Sequence, residues 1–341
     1  MNNPSLNDIL NLAIAARRPL LDDEHRSAVR LFSGFYEGCP DLVIDLYGRT
    51  LVLHDFGKED ELGSTLAASA QQFALEQLPW IECVICKQRF SEDTTEKRGI
   101  ITFGSAAETS IQENNIQYAL DLMINQDASF YLDTRNLRSW LTAHSQGKDV
   151  LNTFAYTGSL GVAALAGGAS SVVQTDRNRR YLSLAHESAV LNRLDLGRMK
   201  LRAADFFSEV GNFKRKGERF DIVILDPPFF SITDSGTVDM LGESSRLINK
   251  LRPLVRDGGS LIVINNALFL SGAEYMSSLQ NLCRDGFLTI EETIAVPEDI
   301  CGYPDTRVST GPSDPLPFNH STKIAVLRVK RKGVMLNDAK N

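Results

Sequence analysis

Cysteine is scarce in this sequence. Its 341 residues contain five cysteines, an odd number, which argues against a disulfide framework and suits a reducing compartment such as the cytoplasm. The only C-x-x-C pair, Cys83 and Cys86, lies in the apolar run Ile81–Cys86, which reads as a strand. Positions i and i+3 of a strand face opposite ways, so the two thiols are expected to point apart. Histidine is also rare: His25, His54, His144, His186 and His320 are scattered without metal-ligand spacing, and no metal is expected. No apolar run approaches the ~20 residues that a membrane-spanning helix needs. Met1 to Leu21 has no basic region leading into a long apolar core, so no secretory leader is expected. Positive charge is in deficit, with 36 Lys and Arg against 43 Asp and Glu, a net charge of −7. That disfavours tight, non-specific binding to long duplexes, which draws on many phosphate contacts. It does not exclude an RNA substrate, because the local field at a cleft decides.

What is present reads as a globular chain of two domains, with 43% hydrophobic and 23% charged residues. Leu6, Ile9, Leu10, Ala13 and Ile14 recur at helical spacing and predict a docked helix within residues 1–26. Residues 27–124 read as a small α/β domain, a candidate for substrate binding. In it, strands are predicted at Ser27–Phe32 and across Asp41–Phe56, the latter a hairpin turning at Gly48-Arg49. A helix is expected over Leu62–Leu78, strands at Glu82–Lys87 and Gly99–Phe103, and an extended stretch from Gln112 to Met123.

From 125 to 332 strands and helices alternate. Strands are predicted at Asp149–Phe154, Ser171–Thr175, Met199–Ala203, Phe220–Leu225, Ser260–Ile264, Leu288–Val296 and Lys323–Val329. Helices are predicted around Leu137–Leu141 and at Leu160–Ala166, Arg180–Leu194, Ser244–Val255 and Ala273–Arg284. Such βαβ alternation implies an α/β fold with a doubly wound, mostly parallel seven-stranded sheet, the last two strands antiparallel. Residues 333–341 form a polar tail.

Open α/β sheets bind ligands beyond the carboxyl ends of their strands, so those ends carry the candidate site. The first strand leads into Phe154-Ala-Tyr156-Thr-Gly158, where glycine allows close backbone approach. The pattern is not G-x-G-x-x-G, which disfavours a dinucleotide pyrophosphate. Asp176 ends the second strand and can accept from both hydroxyls of a ribose or cap the next helix. Asp205-Phe206 follows the third strand and can serve an adenine, or a helix cap and the core. The strongest local signal is Asp226-Pro227-Pro228-Phe229-Phe230 after the fourth strand. Two prolines stiffen the loop and leave its carbonyls free, while Phe229 or Phe230 can stack on a planar substrate. Three carboxylates suit a nucleoside ligand that carries a cation and no phosphate.

On these residues the chain resembles the class I S-adenosylmethionine (SAM)-dependent methyltransferases, Rossmann-like in fold. Within them it is similar to the bacterial large-subunit ribosomal RNA methyltransferases that make 5-methylcytosine and 7-methylguanine. The matching stretches are Phe130-Tyr-Leu-Asp133-Thr-Arg135-Asn, Phe154-Ala-Tyr-Thr-Gly158-Ser, Asp205-Phe206, Leu225-Asp-Pro-Pro-Phe-Phe230 and Pro317-Phe-Asn-His320-Ser-Thr-Lys323. The stretch from Arg30 to Gly38 through Val43 to Gly48 looks like the family's small central α/β domain. The resemblance implies SAM as cofactor and RNA, ribosomal RNA among the candidates, as partner. It implies that Phe130 and Arg135 line the SAM site, that Phe154, Tyr156 and Gly158 flank the methionine moiety, and that Asp176 holds the ribose. Asp205 and Phe206 would take the adenine, and Asp226 would stand beside the methyl group.

Two departures shape the expectation. Residues 1–26 are too few for the N-terminal PUA module that some members carry. The 5-methylcytosine members use a cysteine thiolate after the fifth strand, where this chain reads Leu261-Ile-Val-Ile-Asn265-Asn266-Ala267. The expected reaction is therefore methyl transfer to a base nitrogen of RNA, not to cytosine carbon 5, with Asp226, Pro227, Pro228 and Phe229 as the reacting loop. The alternative is a SAM-dependent methyltransferase acting on a protein or small molecule.

Overall fold

The computed structural model describes residues 4–57, 61–228, 230–233, 236–239 and 244–331. The chain starts with α1 (Leu6–Arg17). Its capping box has the Ser5 hydroxyl accepting from Asp8 N and the Asp8 carboxylate accepting from Ser5 N. The small domain continues with β1 (Ala28–Phe32), β2 (Leu42–Tyr47), β3 (Thr50–Asp55), α2 (Glu61–Gln77), β4 (Cys83–Gln88), α3 (Thr94–Arg98) and β5 (Ile100–Phe103). Its sheet runs β1-β2-β3-β4-β5, with only β3 and β4 parallel, joined through α2.

Strand alternation gives this sheet two unlike faces. Leu42, Ile44, Leu51 and Leu53 pack outward against Leu10, Ala13 and Ile14 of α1 and Ala67, Ala70 and Ala74 of α2. Tyr47, Val52, Cys83 and Ile85 pack inward against Phe130, Leu132 and Ile300 of the larger domain. Cys83 thus joins the inner cluster and Cys86 the outer, and the two thiols do point apart.

The stretch read as extended from Gln112 is instead a hairpin, β6 (Ser110–Glu113) and β7 (Ile116–Ala119), with Glu113 opposite Ile116. Asn114 and Asn115 turn it at φ 52° and 63°. Both are positive, the geometry of a type I′ turn, which asparagine tolerates better than most side chains.

The larger domain contains α4 (Arg135–His144), β8 (Asp149–Thr153), α5 (Ser159–Ala166), β9 (Ser171–Asp176), α6 (Arg179–Leu191), β10 (Met199–Ala203), α7 (Phe206–Lys216) and β11 (Phe220–Leu225). It continues with β12 (Phe230–Thr233), β13 (Gly236–Asp239), α8 (Ser244–Leu251), β14 (Val255–Asn265), α9 (Gly272–Cys283), β15 (Leu288–Ile294), α10 (Glu298–Cys301) and β16 (Lys323–Val329). Among the described residues the main sheet has seven strands in the order β10-β9-β8-β11-β14-β16-β15. The first five are parallel, and β16 pairs antiparallel with both neighbours. The fold is α/β, doubly wound.

Both sheet faces are covered, which is why the central strands read as unbroken apolar runs. Val223, Leu225, Leu261 and Val263 meet Phe213, Leu247 and Leu279 on one side. Ile222, Ile224, Ile262 and Ile264 meet Leu137, Leu141 and Leu160 on the other. The larger domain departs from the sequence reading in several places. Helix α7 was not expected; Asp205 caps it by accepting from Ser208 N, and Gly217 ends it at φ 68°. Helix α8 stops at Leu251, and β14 starts at Val255, each earlier than anticipated. The short β12–β13 hairpin follows the diproline. Strand order reverses between β8 and β11, and ligands of such sheets sit at that switch point.

Candidate active site

A cavity of about 360 Å³ opens at this switch point. Its walls include Phe154–Thr157 after β8, Asp176 and Arg177 after β9, Asp226–Pro228 after β11 and Asn266 after β14, with Asn125, Tyr131, Asp133 and Thr134 from the segment preceding α4.

The β8 loop is held against its own preference. Phe154 and Tyr156 adopt φ 54° and 51°, and Gly158 φ 77°. Positive φ costs a side-chain-bearing residue about 1–3 kcal/mol, and such strain persists only where surroundings over-determine it. Here they do. Ala155 N donates to Thr175 O at 2.9 Å, Tyr156 N to Asp176 Oδ2 at 2.9 Å and Gly158 N to Ala155 O at 2.8 Å. The Phe154 ring stacks on Phe206 with centroids 4.5 Å apart.

Asp176 and Asp226, singled out from sequence, line the same cavity. Asp176 does not cap α6; Asn178 does, accepting from Arg180 N. Asp176 instead accepts from the backbone N–H of Tyr156 and, at 2.8 Å, of Asn178. Burial raises its carboxyl above the ordinary value, and these hydrogen bonds oppose the rise. Asp226 is half-buried, and burial, reinforced by the charge of Asp133, pushes its carboxyl up to about 7. Pro227 and Pro228 line the cavity beside it. Phe229 lies outside the described residues.

The third carboxylate here is Asp133, not Asp205. Asp133 Oδ2 accepts from Thr322 Oγ1 at 2.9 Å. It lies inside the family-like stretch from Phe130, and that was the available signal. Tyr131, Tyr156 and Tyr181 form an aromatic row along one wall, with neighbouring centroids 5.3 and 4.7 Å apart. Of the paired asparagines, Asn265 turns inward to accept from Ala267 N, and Asn266 lines the cavity.

Other anticipated residues are engaged elsewhere. Asp205 caps α7, and Phe206 is buried beneath Phe154; neither lines the cavity. Phe130 is buried in the core between the domains, under the Arg138 guanidinium at 4.0 Å. Arg135 donates to Asp299 at 2.8 and 3.0 Å and to Ala28 O at 2.9 Å, which ties α4 to α10 and β1. Gly158 approaches protein, not the cavity: an added Cβ would lie 2.4 Å from Ala185 Cβ and 2.8 Å from Gln174 Oε1. Replacing Gly158 by Ala combines this clash with the positive φ. A loss of about 2–4 kcal/mol is expected in the denaturant midpoint, with the loop displaced. Lys87 is fully buried and donates from Nζ to the carbonyls of Arg98, Asn125 and Asp127.

This chemistry fits a cationic nucleoside. Three half-buried carboxylates, Asp133, Asp176 and Asp226, line the cavity against a single cation among the described residues, Arg177, which sits beside Asp176; Asp226 is reluctant to ionise alone, and an aromatic wall stands beside them. Comparison with known proteins agrees. The family model for S-adenosylmethionine-dependent methyltransferases matches residues 82–288. Ribosomal RNA large subunit methyltransferase I of Aeromonas salmonicida is 30% identical over 283 residues, covering 82% of this chain and 70% of the relative. The crystal structure of SMU.776 complexed with S-adenosylhomocysteine (SAH) superposes with a TM-score of 0.82 at 22% identity, covering 96% of this chain and 83% of that one. The tRNA m1G37 methyltransferase of M. jannaschii gives 0.55 at 14% identity, covering 97% and 80%. With the family model spanning more than half of the residues and a relative at that identity aligned over most of both chains, this chain belongs to the S-adenosylmethionine-dependent methyltransferase family.

Proposed function

We propose that this methyltransferase acts on RNA, with ribosomal RNA the first candidate, and that the acceptor is a base nitrogen. The supporting observation is the Asp226-Pro227-Pro228 turn in a cavity that no cysteine lines. Bound SAM supplies an electrophilic methyl group on a positively charged sulfur. In this reading Asp176 accepts from the ribose hydroxyls and Asp226 faces the sulfonium. Phe154 and Tyr156 flank the methionine portion. A nitrogen lone pair attacks in line, so the protein's part is positioning and, where the nitrogen carries a proton, accepting its hydrogen bond at Asp226.

Attack from cytosine carbon 5 needs a thiolate. Cys301 is buried, its Sγ facing Val296 O and Asn319, and burial pushes its thiol up to about 12. Neither it nor Cys39, Cys83, Cys86 or Cys283 lines this cavity. Cys301→Ala is accordingly expected to keep full methyl transfer.

The decisive experiment incubates the protein and labelled SAM with ribosomal RNA from a strain lacking the gene, then digests the RNA and separates nucleosides by mass. A base methylated at nitrogen is expected. Label found only in protein or small molecules after RNase treatment, or 5-methylcytosine as product, overturns the proposal. The name of the Aeromonas relative supports the RNA reading, and a cytoplasmic enzyme is the companion expectation. No helix among the described residues is long and apolar enough to cross a membrane.

A further inference from the structure

A second cavity, of about 260 Å³, lies between the inner face of the small-domain sheet and the segment before α4. Tyr131 and Asp133 line both cavities, so the two adjoin. The position of the second is unusual for its chemistry. Alternation along β2 turns Val43, Asp45 and Tyr47 inward, and Arg30 of β1 and His54 of β3 join them. Burying charge on such a face costs several kcal/mol per ion unless each is paired. Asp45 is paired in full: Arg30 Nε and Nη2 donate to it at 2.8 and 3.1 Å, and His54 Nε2 approaches at 3.4 Å.

That arrangement leaves donors for something else. Arg30 Nη1 makes no hydrogen bond among the described residues, and the carboxylate beneath holds its guanidinium rigid. His320 also lines the cavity. Its Nδ1 accepts from Thr322 N at 3.0 Å, so its proton resides on Nε2. Thr322 in turn donates from Oγ1 to Asp133, at the seam of the two cavities. Desolvation, together with the charges of Arg30 and Lys323, lowers His320 to about 3, which keeps the ring a neutral donor. Phe56 carries the Arg89 guanidinium 5.5 Å over its ring at the same cavity. A flat group with hydrogen-bond acceptors on one edge matches these walls.

We propose that the second cavity is the acceptor subsite: it receives one nucleobase everted from its strand, and Arg30 and His320 donate to the base's acceptor edge. Eversion is how enzymes reach a base they modify, since its atoms are enclosed when stacked. The small domain then contributes directly to acceptor selection. This proposal rests on the RNA reading above.

The test uses the full chain, SAH binding by calorimetry, and steady-state methyl transfer to ribosomal RNA from the gene-deleted strain. Val43→Trp fills the cavity from the half-buried inner face of β2. It is expected to lower kcat/KM for RNA at least 100-fold, with SAH affinity within twofold and Tm within a few degrees of the parent. His320→Ala is expected to lose about 10- to 100-fold through KM, again with SAH binding kept. Unchanged kcat/KM in a folded Val43→Trp protein overturns the subsite. If that variant fails to fold, His320→Ala decides, and unchanged kcat/KM there overturns it equally. A parent protein that binds SAH but methylates no RNA fails the function proposed above instead.

Discussion

Asp226→Asn is expected to lower kcat/KM for methyl transfer by about 10²–10⁴-fold, the usual worth of a positioned acid or base, while making the cofactor-free protein more stable. Both effects have one origin. The Asp226 carboxyl sits near 7 in the fold, because burial and the neighbouring Asp133 oppose its charge. In the unfolded chain an aspartate titrates near 3.9. Below the lower value both states hold the proton, and Asp226 is neutral toward stability. Between the two values the unfolded state gives up its proton first, so rising pH destabilises the fold. Above 7 the full penalty is present. The shift corresponds to at most about 4 kcal/mol, and partial solvent access reduces it to about 2 kcal/mol.

Asparagine removes the charge with little change in shape. Thermal unfolding without cofactor should show the variant melting about 4–8 °C above the parent at pH 8 and level with it at pH 4. Equal melting at pH 8 would mean that the carboxylate is satisfied by the protein alone and is not held for a cation. Cofactor binding gives the complementary test. Parent affinity for SAM should fall as pH drops below about 7, where Asp226 takes up its proton. Binding of SAH, which carries no sulfonium, should be much flatter, and Asp226→Asn should be flat for both. Site strain of this kind is a familiar source of opposed stability and activity.

Arg138→Met should cost about 3–5 kcal/mol of stability, read as the denaturant midpoint, and weaken SAH binding as well. Arg138 is fully buried. Its Nε and Nη2 donate bidentately to Glu113 at 2.7 and 2.8 Å, and Nη1 donates to Tyr131 O and Thr134 Oγ1, both at 2.8 Å. Removing the guanidinium leaves the Glu113 carboxylate buried with only Arg135 at 3.5 Å, and releases two residues that form the cavity wall. Adding Glu113→Leu should restore much of the lost stability, since a buried ion pair replaced as a unit is often near neutral. It should not restore SAH affinity, because Tyr131 O and Thr134 Oγ1 still lack the Arg138 donor that ties them to α4. A double variant that recovers both would reduce Arg138 to a fold-stabilising role.

Much of the architecture was legible in the residues themselves. The apolar runs of β8, β11 and β14 and the helical spacing of α1, α2, α6 and α9 are local signals, generated by periods of 2 and 3.6 residues. Asp176 and Asp226 were legible for the same reason: each follows an identifiable strand, and parallel strands bring their carboxyl ends to one edge. The cap at Asp205 was one of two readings the sequence left open, and the extent of α7, ended by Gly217, became visible only in the fold. The β6–β7 turn was missed because Asn114-Asn115 is a weaker mark than Asn-Gly.

By itself, then, the sequence determined the βαβ alternation, the sheet edge where chemistry gathers, and two of the carboxylates found there. Tertiary structure alone decided that Asp133 joins them, that Arg135 clamps Asp299, and that the inner face of the small domain closes a second cavity against Tyr131 and His320. The division has a physical basis. Periodicity and capping are settled by neighbours a few residues apart, whereas Arg135 and Asp299 lie 164 positions apart, and their meeting depends on how two folded layers pack.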